Sequence, residues 1–138
     1  KRKNTSRNCL GELMRESEVS KSVSNYLDLW QIKKVVIHHD RINAGKIRIG
    51  NRWINMGKKG SSDRVAYILH EGICWIYFIE CKRSVGGRLS EDQKNFAMKF
   101  DNCANVVYEV VSNPNQVNIT IERITKFDEN TLNSISID

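Results

Sequence analysis

The apolar positions of this chain repeat with two different periods. Val19, Val23, Tyr26, Leu27 and Trp30 sit 4, 7, 8 and 11 residues along from the first of them. That is the stripe of an amphipathic helix, predicted over residues 12–30. Lys34 to Arg41 is rich in Val and Ile and reads as a strand. Lys46 to Asn55 alternates on either side of Gly50-Asn51 and reads as a hairpin. Asp63 to Leu69 is another strand, and Glu71-Gly72 a turn. Ile73 to Lys82 is a continuous apolar run, the pattern of a strand covered on both faces. Ser90 with Gln93 three residues on forms a capping box, and Phe96, Ala97 and Phe100 extend a helical stripe behind it. Asn105 to Val111 is a strand, closed by a turn at Asn113-Pro114. From Asn115 onward, Val117, Ile119 and Ile121 fit a strand, whereas Val117, Ile121 and Ile124 fit a helix. The helix is the preferred reading. Helix, strands, helix, strand, helix is an α/β order, with helices packed on a mixed sheet.

Length and composition narrow the picture. The 138 residues correspond to one domain. Residues 1–11 read as a basic N-terminal extension, and 12–138 as the domain. No internal repeat or low-complexity tract interrupts it. The longest uncharged apolar run, Ile73 to Ile79, has seven residues, against the roughly 20 of a membrane-spanning helix. A membrane protein is therefore not expected, and no secretory apolar segment is present near the start. The chain opens on Lys1 rather than Met, which is compatible with a piece of a larger protein.

Charge adds a direction. Of 22 Lys/Arg and 16 Asp/Glu, residues 1–64 carry 15 and 6, and residues 65–138 carry 7 and 10. A basic half beside a mildly acidic half suggests one face against a polyanion, nucleic acid first. A soluble protein with a high pI is the plain alternative. The cysteines Cys9, Cys74, Cys81 and Cys103 form no C-x-x-C pair, and the histidines complete no zinc spacing. Cys74 and Cys81 lie in the apolar strand and are expected to be buried thiols. The compartment expected is reducing and intracellular, cytoplasm or nucleus. His38 and His39 are adjacent on a strand, so they point to opposite faces and do not chelate one ion.

Charge also sits where it is not expected. Glu80 and Lys82 close the apolar strand and, two residues apart, share a face. Alone they could be an ion pair, for which the stability case is weak. Asp63 opens the preceding strand. Folding the two strands over Glu71-Gly72 brings Asp63 and Glu80 to the same end. Two facing carboxylates repel unless a cation lies between them. Hard oxygens suit Mg²⁺ or Mn²⁺, and a neighbouring lysine can orient or deprotonate a water. That set in a basic protein points to metal-dependent hydrolysis of phosphodiesters.

Gly60-Ser61-Ser62-Asp63, then Ile79-Glu80-Cys81-Lys82-Arg83, then Gly87, Ser90 and Gln93 resemble the PD-(D/E)XK nucleases, and more narrowly their virus-type replication-repair (VRR-NUC) branch. A secondary likeness is to archaeal Holliday-junction resolvases. The resemblance covers residues 16–100. It departs from the pattern in having Ser62 where the family name places proline. It implies an α/β, restriction-endonuclease-like core, a mixed β-sheet flanked by helices in the order αβββαβ. It implies a Mg²⁺- or Mn²⁺-dependent DNA endonuclease, structure-specific for branched or four-way-junction DNA in replication or repair. Asp63 and Glu80 would bind the metal, with the main-chain carbonyl of Cys81 adding an oxygen. Lys82 would position the attacking water, and Gln93 would point at the same site. A virus- or phage-encoded origin is compatible with the likeness. Four-way-junction chemistry needs two active sites, hence a homodimer; a domain of a larger enzyme would act as a monomer. The alternative is a nucleic-acid-binding module that kept the fold without turnover.

Such nucleases also carry a helix glutamate. At about 100° per residue, Glu16 lies roughly 60° from Val19, on the side of Val23 and Leu27, and Glu18 about 100° away on the other side. Glu16 is the choice, with Glu18 the alternative. Arg41, Arg48, Arg52, Lys58, Lys59, Arg64, Arg83 and Arg88 are candidate phosphate contacts; a solvated surface charge is the plain reading of each. Trp53 could stack on a base, but a core position is preferred.

Overall fold

The structure is a computed structural model. It describes residues 13–42, 46–55 and 60–135, with side chains at all of these except 46, 47, 55 and 126–135. The elements are α1 (Glu16–Ile32), β1 (Val36–Arg41), β2 (Lys46–Ile49), β3 (Arg52–Asn55), β4 (Arg64–His70), β5 (Ile73–Cys81), α2 (Glu91–Met98), β6 (Val106–Val111) and α3 (Asn115–Ile135). The expected basic extension, residues 1–11, lies outside the described residues.

Four strands form one mixed sheet in the order β1-β4-β5-β6. β1 and β5 run antiparallel to β4, whereas β6 is parallel to β5. Geometry requires this: β4 and β5 are joined by the two-residue turn Glu71-Gly72, while β5 reaches β6 only through α2. β2 and β3 pair with each other as a separate hairpin turning at Gly50-Asn51. Without that hairpin and α3, the order is α1-β1-β4-β5-α2-β6.

One face of the sheet carries the core. Val19, Val23 and Leu27 of α1 pack with Val117, Ile121 and Ile124 of α3 against Ala66, Ile68, Tyr77, Ile79, Cys81 and Val111. The Val19 stripe of α1 is therefore buried as its spacing predicts, and α3 forms where the 3.6-residue period competed with strand alternation. Asn113 and Gln116 cap its start: Gln116 Oε1 accepts from the Ser112 and Asn113 N–H groups at 2.9 Å. α2 covers the opposite face. Its Phe96, and Phe100 just past its end, pack on Phe78, with ring centroids 5.2 and 4.8 Å away.

Three expectations change. Cys74 is exposed, and only Cys81 is a buried thiol among the described residues. β5 is covered on both faces only toward its end, where Ile79, Glu80 and Cys81 are consecutively buried, while Ile73 and Cys74 are open. The apolar run carries no sign of where α2 stops covering it. Trp53 is 65% exposed, because the β2–β3 hairpin stands apart from the four-stranded sheet instead of extending its core. Among the described residues, no helix is long and apolar enough to cross a membrane.

Candidate active site

The register of β4 and β5 sets the site. Arg64 pairs with Ile79, so Asp63, one residue earlier, stands opposite Glu80 at the same end of the sheet. Asp63 is held from two sides. Its Oδ2 accepts from the Cys81 N–H at 2.7 Å, and its carbonyl from the Ile42 N–H at 2.7 Å. Glu80 is only 1% exposed. Its Oε1 accepts from Gln93 Nε2 at 2.7 Å and lies 3.6 Å from Lys82 Nζ. Its Oε2 is buried with no hydrogen-bond partner among the described residues.

The electrostatics follow from that geometry. Burial, and after it the negative charge of Asp63, push the Glu80 carboxyl up to about 8, with Lys82 pulling the other way. One lysine does not offset both burial and a second carboxylate at Glu80, so a proton or a cation at this dyad relieves the charge. Glu16, placed by its spacing on the side of Val23 and Leu27, is exposed at the start of α1 and adds the smallest of the upward pushes on Glu80. Glu18, half-buried, forms an ion pair with the exposed Arg15 at 3.2 Å.

Loops pack closely around this end. A Cβ on Gly87 would come 2.8 Å from the Lys82 Cβ, so the loop after β5 folds over that lysine only because residue 87 has no side chain. Gly60 (φ +87°) is tighter: its Cβ would lie 2.4 Å from the Asp92 carbonyl oxygen. These contacts give physical reasons for two glycines of the motif. Ser62 is buried and donates to the Arg64 carbonyl at 3.1 Å. Ser90 and Gln93 make both bonds of the capping box, Gln93 N–H to Ser90 Oγ at 3.2 Å and Ser90 N–H to Gln93 Oε1 at 2.8 Å. Gln93 therefore caps α2 with its oxygen while its nitrogen binds Glu80, and the two readings of this residue coexist.

The Cys81 thiol is buried, and burial, then Asp63, push it up to about 12. The sulfur stays protonated at neutral pH, and the Cys81 main chain is what meets Asp63. His38 and His39 take separate partners, Asp40 and Asp28, each at 2.7 Å. Among the described residues, no group of three or more His, Cys, Asp or Glu side chains is gathered to hold a metal by itself.

No family model matches the chain, and no curated protein and no solved structure is significantly similar to it.

The candidate phosphate contacts divide. Arg41, Arg48, Arg52, Arg83 and Arg88 are exposed. Arg48 Nε donates to the Gly50 carbonyl at 3.1 Å, and an Arg83 Nη to that of Gly86 at 3.2 Å. Arg64 instead turns inward, donating to Ser20 Oγ of α1 at 3.2 Å, and burial lowers its pKa. Lys58 and Lys59 lie outside the described residues.

Sequence reasoning missed Tyr108. It pairs with Phe78 in the parallel β5–β6 ladder and rests on Phe96, centroids 6.0 Å apart. Its hydroxyl is buried without a partner among the described residues. Burial first, then Glu80 and Asp63, push its phenol up to about 12, so it lies in the field of the dyad. The alternation of Val106 to Val111 gives Tyr108 and Val110 one face. Only the β5–β6 register, which no local pattern encodes, makes that the face of Glu80.

Proposed function

We propose that this chain is a Mg²⁺- or Mn²⁺-dependent nuclease of the PD-(D/E)XK kind, acting on DNA. One observation carries the reading: Asp63 faces a buried Glu80 across the β4–β5 pair, and Glu80 Oε2 has no partner among the described residues. An orphaned, buried carboxylate oxygen beside a second carboxylate is what a hard cation satisfies. Mg²⁺ keeps most of its waters and commonly takes only one or two protein carboxylates, so two side chains are enough. The Cys81 N–H already faces Asp63. In an extended strand the carbonyl of the same residue leaves on the same edge, which supports Cys81 as a main-chain ligand. The α1-β1-β4-β5-α2-β6 order supports a restriction-endonuclease-like core.

Mg²⁺ or Mn²⁺ held by Asp63 and Glu80 would supply Lewis-acid activation of a water and offset charge on the scissile phosphate. The chain does the rest. Lys82, 14% exposed and 3.6 Å from Glu80, orients the water and opposes charge developing on the phosphate oxygens. Gln93 fixes the Glu80 rotamer through its 2.7 Å bond. Glu16, at the start of α1, adds negative potential at Glu80. The exposed arginines give the polyanion a surface to lie on.

The test is cleavage of labelled single-stranded, duplex, flap and four-way-junction DNA by the full chain, with Mg²⁺ or Mn²⁺ present or chelated. Wild type should cut only with metal. Asp63→Ala and Lys82→Ala should each lower cleavage by about 10²- to 10⁴-fold, the usual scale for such a group, with DNA binding kept. Cutting at the normal rate by both variants overturns the assignment. Salt-dependent binding with no cutting under any metal moves it to a binding module.

A further inference from the structure

The hairpin inserted between β1 and β4 is the feature that the carboxylate site leaves unexplained. From Arg41 to Ser62 the chain carries six cations, Arg41, Lys46, Arg48, Arg52, Lys58 and Lys59, and no Asp or Glu. The formal net charge of the whole protein is also +6; Arg41 closes β1, and the other five cations lie in the insertion itself. In its middle Trp53 is 65% exposed. The pairing places Arg48 directly across from Trp53, while Ile47 pairs with Ile54 and Ile49 with Arg52. Cross-strand partners share a face, and successive residues alternate. Trp53 and Arg48 therefore share one face, and Ile49, Arg52 and Ile54 the other.

The root of the hairpin matters as much as its tip. The insertion leaves the sheet at Arg41 and rejoins it at Asp63, and its neck is closed by the Ile42 N–H donating to the Asp63 carbonyl at 2.7 Å. The insertion therefore begins and ends beside Asp63 of the dyad. An exposed indole beside a guanidinium is the chemistry that holds an unpaired base, with the ring stacking on the base and the cation meeting its phosphate. An anionic membrane is the less suitable occupant. Insertion would need Trp53 with Ile49 and Ile54 on one side, and the register separates them.

The geometry points to the Trp53–Arg48 face of the β2–β3 hairpin as a stacking platform for an unpaired nucleobase, selecting substrates with single-stranded segments. The inference rests on the nuclease reading only for the cutting step after binding, so it can be tested without catalysis. The experiment measures affinity of the full chain, in chelator, for a fluorescent single-stranded oligonucleotide, for a duplex of equal length, and for vesicles of phosphatidylserine and phosphatidylcholine. Trp53→Ala should weaken single-strand binding by about 5- to 100-fold, the scale of one base–aromatic stack, and duplex binding by less than about 2-fold. Trp53→Phe should restore most of the loss. Arg48→Ala should weaken both nucleic acids and lower the salt dependence of each by about one ion. Equal loss on both nucleic acids in Trp53→Ala, or no loss, overturns the platform. So does vesicle binding that vanishes in Trp53→Ala while DNA binding stays. Selective loss in chelator with no cutting under Mg²⁺ or Mn²⁺ supports the platform and removes the nuclease; cutting with unchanged strand preference does the reverse.

Discussion

Two glutamates on adjacent strands of one sheet have opposite fates. Glu109 of β6 pairs with Ile79, and Glu80 of β5 pairs with Val110, so the two stand on neighbouring rungs. Glu109 faces the α1–α3 side. One of its oxygens accepts from the Tyr77 hydroxyl and the other from Thr120 Oγ1, the latter at 2.7 Å. Burial and Glu109 both push the Tyr77 phenol up, which keeps it a donor. Each oxygen has a partner from the chain. Glu80 faces the α2 side, with both donors on Oε1, none on Oε2 among the described residues, and a second carboxylate opposite. A half-buried carboxylate with a donor on each oxygen is a structural part. A buried one left unsaturated beside a like charge needs a proton or a cation, which makes it a candidate for chemistry.

The largest expected contrast is in pH dependence without metal. The Glu80 acid lies near 8 in the folded chain against 4.5 for the free side chain. Between those values the folded state holds a proton that the unfolded state has released, so stability falls as pH rises through the window. The loss should be of the order of a few kcal/mol. Urea unfolding at pH 5, 6.5 and 8 reads it. Glu80→Gln should remove the slope, Glu109→Gln should keep it, and millimolar Mn²⁺ should flatten it for wild type by binding the ionised dyad. A wild-type slope no steeper than that of Glu80→Gln breaks the comparison.

The Glu109 side should respond in the opposite sense. Tyr77→Phe and Thr120→Val each strip one donor from a part-buried oxygen of Glu109. Each should destabilise the fold by about 1–3 kcal/mol, visible in the urea midpoint, while metal-dependent cutting of DNA stays within about 2-fold of wild type under conditions where the variant is folded. A selective loss of cutting in either variant would place Glu109 in the chemistry and erase the distinction.

The α1 stripe, the β4–β5 hairpin and the capping box are legible in the sequence because each is a local pattern with one physical cause. The facing of Asp63 and Glu80 comes from counting outward from a two-residue turn. Tyr108 is not legible in this way, because parallel register is set by packing through α2 and not by a turn. Trp53 and Cys74 depart from their expected burial for one shared reason: apolar character says what a side chain prefers, not whether a neighbour arrives to cover it. Arg64 reads as a surface cation, although its strand alternation with Ala66 and Ile68 already gives it the α1 face. The glycines at 60 and 87 are visible as letters, but the close approaches that require them, at Asp92 and Lys82, are long-range.

The finest test separates the two roles of Gln93. Ser90→Ala removes the side-chain acceptor for the Gln93 N–H and nothing at Glu80, so it should cost about 1 kcal/mol of stability and leave cutting within about 2-fold. Gln93→Glu keeps an acceptor for the Ser90 N–H, since glutamate serves equally in a capping box. It deletes the amide donor to Glu80 and adds a third carboxylate to the dyad. Its helix should therefore be as stable as wild type once metal is bound, while cutting falls by about tenfold or more as Glu80 loses its fixed rotamer. Comparing the two variants by urea midpoint and by single-turnover cleavage distinguishes a cap that happens to touch the site from a residue that positions it. If Gln93→Glu cuts as well as Ser90→Ala, the 2.7 Å bond to Glu80 is a by-product of capping, and the contrast between the two glutamates must rest on Asp63 and Lys82 alone.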